Sequence, residues 1–193
     1  MINKIIDLNT LDIGITIDLK YATQDNFTQK IVYKNLDRAL LQEEGVQKII
    51  QAQQLLQSIN PRLTLHIWDA GRPEYAQYIL WNHVKDTPQQ IYIADPSIGS
   101  LHTYAMAVDI TLATKDGQLL DMGTGFDYFG DLAHPEFEAQ MLLEKKITHA
   151  QISNRLLLRY IMTASGCSFI PHEWWHFNLC DLEYAKKNYT KLE

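Results

Sequence analysis

A chain of 193 residues, 46% hydrophobic and 21% charged, is long enough for one domain with a proper core over 1–193, and no part of it reads as disordered. A net charge of −6 argues against nucleic acid as a partner, because a phosphate backbone needs a basic face. The start, Met1-Ile2-Asn3-Lys4-Ile5-Ile6-Asp7, has no apolar signal core, and no apolar run approaches the ~18 residues of a membrane span, so a cytoplasmic protein is expected, or a periplasmic one if a leader was removed.

The elements follow in chain order. Ile13 to Leu19 alternates apolar and polar residues and predicts a strand. Ala22 to Lys34 is polar and turn-forming, an ordered loop. Leu36 to Ser58 carries an apolar stripe near helical period, and Asn60-Pro61 ends it. Leu63 to Asp69 alternates cleanly as a strand, Gly71-Arg72-Pro73 breaks it, and Glu74 to His83 reads as a helix with Pro73 in its first turn. Asp95 to Ser100 is a loop leading into a β-branched strand, Ala107 to Leu112, closed by the turn Lys115-Asp116-Gly117-Gln118. A Gly- and aromatic-rich loop spans Met122 to His134. Helices are expected over Glu136 to Lys146 and Ser153 to Ser165, the second capped by Gly166, with a last strand near Phe177 to Cys180. The mixture lacks a βαβ rhythm and predicts an α+β fold with a central, largely antiparallel sheet flanked by helices. Cys167 and Cys180 are too few for a disulfide scaffold and read as buried thiols.

Two clusters carry the chemistry. Ser100-Leu101-His102 with Ala107-Val108-Asp109 is one; His172-Glu173-Trp174-Trp175-His176 is the other. Together they supply the imidazoles and carboxylates of a catalytic zinc site, which takes three protein ligands and leaves one position for water. The second cluster matches the H-E-x-x-H pattern of helical metalloproteases. However, Pro171 precedes it, and Trp174, Trp175 and Phe177 favour extended chain. The other reading is a split site: His102, Asp109 and His176 on the metal, with Glu173 as the base. An aspartate between Val108 and Ile110 in an apolar strand is costly unless it is paired or bound to metal.

Ser100-x-His102, Ala107-x-Asp109 and Glu173-x-x-His176 together resemble the zinc signature of the D-Ala-D-Ala dipeptidases. The likeness runs from Asp18 to Leu179 in the family's order. Asp18-Leu19-Lys20-Tyr21-Ala22-Thr23 and Asp25-Asn26-Phe27-Thr28 are similar to its N-terminal segment. Trp68-Asp69-Ala70-Gly71-Arg72-Pro73 resembles the motif of its catalytic arginine, and Met122-Gly123-Thr124-Gly125-Phe126-Asp127 its substrate loop. The resemblance implies a D-Ala-D-Ala metallopeptidase/hedgehog-like fold, one Zn2+ per chain and hydrolysis of a small D,D-dipeptide. It implies His102, Asp109 and His176 as ligands, Glu173 as general base and Arg72 as oxyanion stabiliser. Asp127 would hold the substrate's free amine, which separates a dipeptidase from a D,D-carboxypeptidase. Tyr21 and Ser100 are candidate substrate contacts, and His172 is expected not to bind the metal. One departure is Ala105, where the family usually has glycine; a positive φ there would store strain. No oligomeric state follows from these residues.

Overall fold

The structure is a computed structural model and describes residues 4–193; Met1 to Asn3 of the start discussed above lie outside the described residues. Strands β1 (Ile5–Asp7) and β3 (Leu40–Gln42) form a small antiparallel pair. The main sheet has five strands in the order β2 (Thr16–Ile17), β4 (Leu63–Asp69), β5 (Ala107–Thr114), β7 (Glu173–Asn178) and β6 (Ser168–Ile170). Only β2–β4 is parallel; the other neighbours are antiparallel, as expected. Five helices accompany it among the described residues: α1 (Glu43–Ile59), α2 (Glu74–Val84), α3 (Glu138–Leu143), α4 (His149–Ala164) and α5 (Leu182–Asn188). The fold is α+β, and no described helix is long and apolar enough to cross a membrane.

Helix α1 turns Val46, Ile49, Ala52 and Leu56 into the core. Glu43 and Glu44 sit in its first turn, where the helix dipole favours negative charge. Buried Gln53 on the same face ties three segments together. Its amide nitrogen donates to the Gly14 carbonyl (3.1 Å) and Thr64 Oγ1 (3.1 Å), and its oxygen accepts from the Leu65 N–H (2.9 Å). The central strands β4 and β5 are buried almost throughout, which accounts for their apolar runs.

Several expectations need correction. The helix expected from Leu36 begins only at Glu43, because Leu40–Gln42 pairs with Ile5–Asp7 instead. The strand expected over Ile13 to Leu19 shrinks to Thr16–Ile17: Gly14 turns the chain at φ +69° and a 3-10 turn starts at Lys20. The helix expected over Glu136 to Lys146 is helical as α only over Glu138–Leu143. Helix α4 starts four residues before Ser153, at His149, behind a capping box in which Thr148 and Gln151 satisfy each other's backbone N–H. Pro73 is the N-cap of α2 rather than a first-turn residue. The last strand runs over Glu173–Asn178, upstream of Cys180; β6 and α5 were not anticipated. Both cysteines are free thiols, Cys167 buried and Cys180 only half-buried.

Candidate active site

Two adjacent strands and one turn set the site. Asp109 on β5 lies directly opposite His176 on β7 in the antiparallel ladder. Asp69, at the end of β4, lies opposite Asp109 on the other side, so three polar residues form a row across the sheet. A register shift between Ile67 and Asp69 accompanies this row. His102 comes from the 3-10 turn Leu101–Tyr104, which precedes β5. Ser100 caps that turn, its hydroxyl accepting from the His102 N–H at 3.3 Å.

Simple strand alternation would put Glu173 and His176 on opposite faces. An irregularity in the β6–β7 pairing removes that conflict. Phe169 pairs with Phe177 while its neighbour Ile170 pairs with Glu173, so β7 carries extra residues at this point. Bulges of this kind re-aim side chains. Glu173 Oε2 reaches within 3.9 Å of His176 Nδ1. Of the H-E-x-x-H residues, His172 lies in the turn between β6 and β7 and Glu173 to His176 lie on extended chain, so the helical reading of that motif is ruled out by the strand Glu173–Asn178.

The three expected ligands converge. His102 Nε2 and His176 Nδ1 are 3.2 Å apart, His176 Nδ1 and Asp109 Oδ1 3.0 Å, and His102 Nε2 and Asp109 Oδ1 3.4 Å. Three donors around one ion at zinc-type bond lengths of 2.0–2.1 Å would be about 3.3 Å apart in a tetrahedral array. The other ring nitrogens are engaged. His102 Nδ1 lies 2.7 Å from the Ala70 carbonyl, which can only accept, so this nitrogen carries the proton. His176 Nε2 donates to Asn178 Oδ1 at 2.8 Å. Both facing nitrogens then present lone pairs, to each other and to a carboxylate oxygen. That arrangement calls for a cation, and a divalent ion fits it. Among the described residues this is the one cluster of three such groups able to hold a metal, and His172 is not part of it. Burial by itself would raise Asp109; when His102 and His176 take up protons in place of an ion, their charge and hydrogen bonds outweigh burial and hold the carboxyl well below the usual range.

All eight residues singled out from the sequence line one cavity of about 300 Å³: Tyr21, Arg72, Ser100, His102, Asp109, Asp127, Glu173 and His176. Arg72 is buried, and its charge is satisfied by partners on several sides. Its Nε and Nη2 donate to Asp69 Oδ2 at 3.0 and 2.8 Å, its Nη1 to Gln77 Oε1 at 2.8 Å, and Asp109 Oδ2 lies 3.6 Å away. Burial opposes that charge, but Asp69 and the groups behind it more than compensate. The Tyr21 ring lies 5.0 Å from the guanidinium, in cation–π range. Tyr21 donates its hydroxyl to Asp127, 3.1 Å from each carboxylate oxygen. Asp127 itself sits at φ +56°, and burial and the negative charge of Asp109 push its carboxyl well above the usual range. Glu173 is raised in the same way, by burial and then by Asp109 and Asp127.

Sequence reasoning missed the supports. Asp69 stands out in the sequence only as part of the Arg72 motif; it pairs with Arg72, takes the buried Tyr33 hydroxyl and lies 3.6 Å from His102 Nδ1. Tyr33, Gln77 and Asn178 carried no signal beyond their residue type. Arg155 on α4 is fully buried and organises the loop that carries Asp127. It donates to the Met122 carbonyl (2.6 Å) and the Leu132 carbonyl (2.8 Å), and stacks over Trp174 at 5.5 Å. Its place on the buried side of a predicted helix was the available cue. Ala105 does adopt the left-handed conformation, φ +56° and ψ +37°, so the methyl group is held in a strained position.

The D-ala-D-ala dipeptidase family model matches residues 1–192. The chain is similar to the D-alanyl-D-alanine dipeptidase of Escherichia coli (strain K12), 37% identical over 176 residues, covering 91% of this chain and 84% of the relative. It is also similar to the D-alanyl-D-alanine dipeptidases of Enterococcus faecium, 31% identical with 89% of each chain covered, and of Enterococcus faecalis, 29% identical with 95% of each covered.

Proposed function

The chain belongs to the D-Ala-D-Ala dipeptidase family and is a metallopeptidase; from that premise we propose that it hydrolyses D-Ala-D-Ala to two D-alanines at a single zinc site. The observation that carries this reading is the convergence of His102, Asp109 and His176 within zinc-ligand spacing on one wall of the cavity. We read the layout as the D-Ala-D-Ala metallopeptidase/hedgehog-like arrangement, with residues 1–193 as one catalytic domain.

A zinc ion held there supplies Lewis-acid polarisation of water and of the scissile carbonyl. Glu173 takes the proton from the attacking water and delivers it to the leaving amine as the C–N bond breaks. Its carboxyl group is buried beside the ligand cluster, with Oε2 3.9 Å from His176 Nδ1, which suits that task. Arg72 donates to the oxygen on which negative charge builds, and its fixation by Asp69 and Gln77 means little reorganisation as that charge develops. Asp127, held by Tyr21, receives the substrate ammonium, whose positive charge offsets the cost of an ionised carboxylate in that position. Ser100, whose oxygen already caps the His102 turn, keeps its hydroxyl proton for the substrate carboxylate. The substrate is a dipeptide of the kind built into wall precursors, so the reaction removes it or recycles its D-alanine.

The deciding experiment incubates zinc-loaded protein with D-Ala-D-Ala, L-Ala-L-Ala and N-acetyl-D-Ala-D-Ala and measures released alanine. Cleavage of the first alone is expected. Equal turnover of the N-acetylated substrate would contradict the role of Asp127 and favour a carboxypeptidase.

A further inference from the structure

Four stretches of chain cross behind the ligand cluster. The Gly71 N–H donates to the Leu40 carbonyl (2.8 Å), the Arg72 N–H to the His102 carbonyl (2.9 Å), and the Gln42 N–H to the Ala105 carbonyl (3.1 Å). These bonds join β3, the Arg72 segment and the His102 turn. The fourth stretch comes from far along the sequence. After α5, the Leu192 N–H donates to the Thr103 carbonyl at 2.7 Å, and the Leu192 carbonyl accepts from the Glu74 N–H at 2.8 Å. A single residue thus bridges, through its own backbone, the residue following His102 and the second residue after Arg72.

The side chains reinforce the bridge. Lys191 pairs with the Glu74 carboxylate. Leu192 Cδ1 lies so close to Gly71 that a Cβ there would meet it at 2.7 Å and the Leu40 carbonyl at 2.6 Å. Glycine at 71 is therefore required by close approach, and part of that approach is made by Leu192.

We propose that Leu192 is a positioning residue: its backbone clamps the segment carrying Arg72 to the turn carrying His102, and so fixes the distance between the oxyanion-stabilising group and the metal. The inference rests on the roles read for Arg72 and His102 above. Without the clamp, the turn and the start of α2 keep the direct Arg72–His102 backbone bond and the indirect route through β3, but lose the tie on the far side of each segment, so the two catalytic groups are held less tightly relative to one another. Displacements of about 1 Å in such a pair cost on the order of a hundredfold in rate.

The test compares the parent chain with a chain ending at Thr190 and with Leu192→Pro, which keeps the tail but removes the N–H given to Thr103. Three readings are taken well below the unfolding midpoint: kcat and KM for D-Ala-D-Ala, the zinc dissociation constant by chelator competition, and hydrogen exchange of residues 71–76 and 101–106. Expected are faster exchange in both segments and a loss of about fivefold or more in kcat or in zinc affinity, with KM moving less. A general loss of stability would lower the melting point without changing either constant of the folded protein. Changes below about fivefold in both constants overturn the proposal. Should the shortened chain not fold, Leu192→Pro decides by the same readings. An inactive parent would refute the assigned reaction, while the zinc constants of parent and variants would still judge the clamp.

Discussion

Asp69→Asn tests how the site holds its arginine. Asp69 is completely buried, and Arg72 is nearly so. The carboxylate oxygen Oδ2 takes two guanidinium N–H bonds, at 3.0 and 2.8 Å, and Oδ1 takes the Tyr33 hydroxyl. Asparagine has nearly the same shape but one acceptor oxygen and no charge. Arg72 then keeps Gln77 and loses the neutralising partner beside it. Removing one member of a buried ion pair costs roughly 3–5 kcal/mol, and the retained amide oxygen puts the expected loss at about 3 kcal/mol. In a chain of this size that corresponds to a fall of roughly 6–12 °C in melting temperature. In turnover, a displaced Arg72 loses part of an oxyanion interaction usually worth about 10²–10³, so kcat should fall by about ten- to a hundredfold. The double variant Asp69→Asn/Arg72→Met supplies the control. It removes both charges, so it should recover part of the lost stability, and the two substitutions should be far from additive. Differential scanning calorimetry and steady-state release of D-alanine read both effects. A single variant with unchanged melting temperature and kcat, or a double variant whose losses simply add, would refute the argument.

Four further outcomes are expected. Zinc at 100 times its dissociation constant should stabilise the metal-free protein by about 2.7 kcal/mol, seen as a rise of roughly 5–10 °C in melting temperature that EDTA reverses. Glu173→Gln should bind zinc normally and lose turnover by about two orders of magnitude or more, whereas a drop in bound metal would make Glu173 a ligand. His172→Ala should leave zinc affinity within about twofold, since its ring lies against Tyr92 and His134 outside the ligand cluster; loss of metal would make His172 a ligand. Arg155→Met should raise KM by about tenfold with a smaller change in kcat, because the loop bearing Asp127 loses its two carbonyl anchors. An unchanged KM would show that the loop holds its shape without them.

Much of the site was legible because its chemistry is concentrated in short motifs. Polar residues in apolar strands need a reason to be there, and Asp109 advertised one. The strand Leu63–Asp69 and the core of the strand from Ala107 were readable from alternation and β-branching. Tertiary pairing was not. Leu40–Gln42 fits a helical stripe and becomes a strand only because Ile5–Asp7 lies beside it. The placement of Glu173 beside His176 depends on a β6–β7 irregularity that no local pattern announces. Asp69, Tyr33 and Gln77 act through each other in three dimensions, so residue type alone could not single them out. Ala105 shows the reverse case: its departure from glycine raised the question of a positive φ, and the backbone there is left-handed.

The facing of Asp109 and His176 across one ladder also has a consequence for how the protein comes into being. These residues are 67 positions apart, and the ladder between β5 and β7 is what unites them. On the proposed ligand set, a growing chain that has not yet delivered its last strand holds two of the three ligands and no closed coordination triangle. Metal capture would then be a late event in maturation. Loading with the ion would certify that the final strand has found its neighbour in the correct register, since a slip of one position would turn the imidazole to the other face of the sheet.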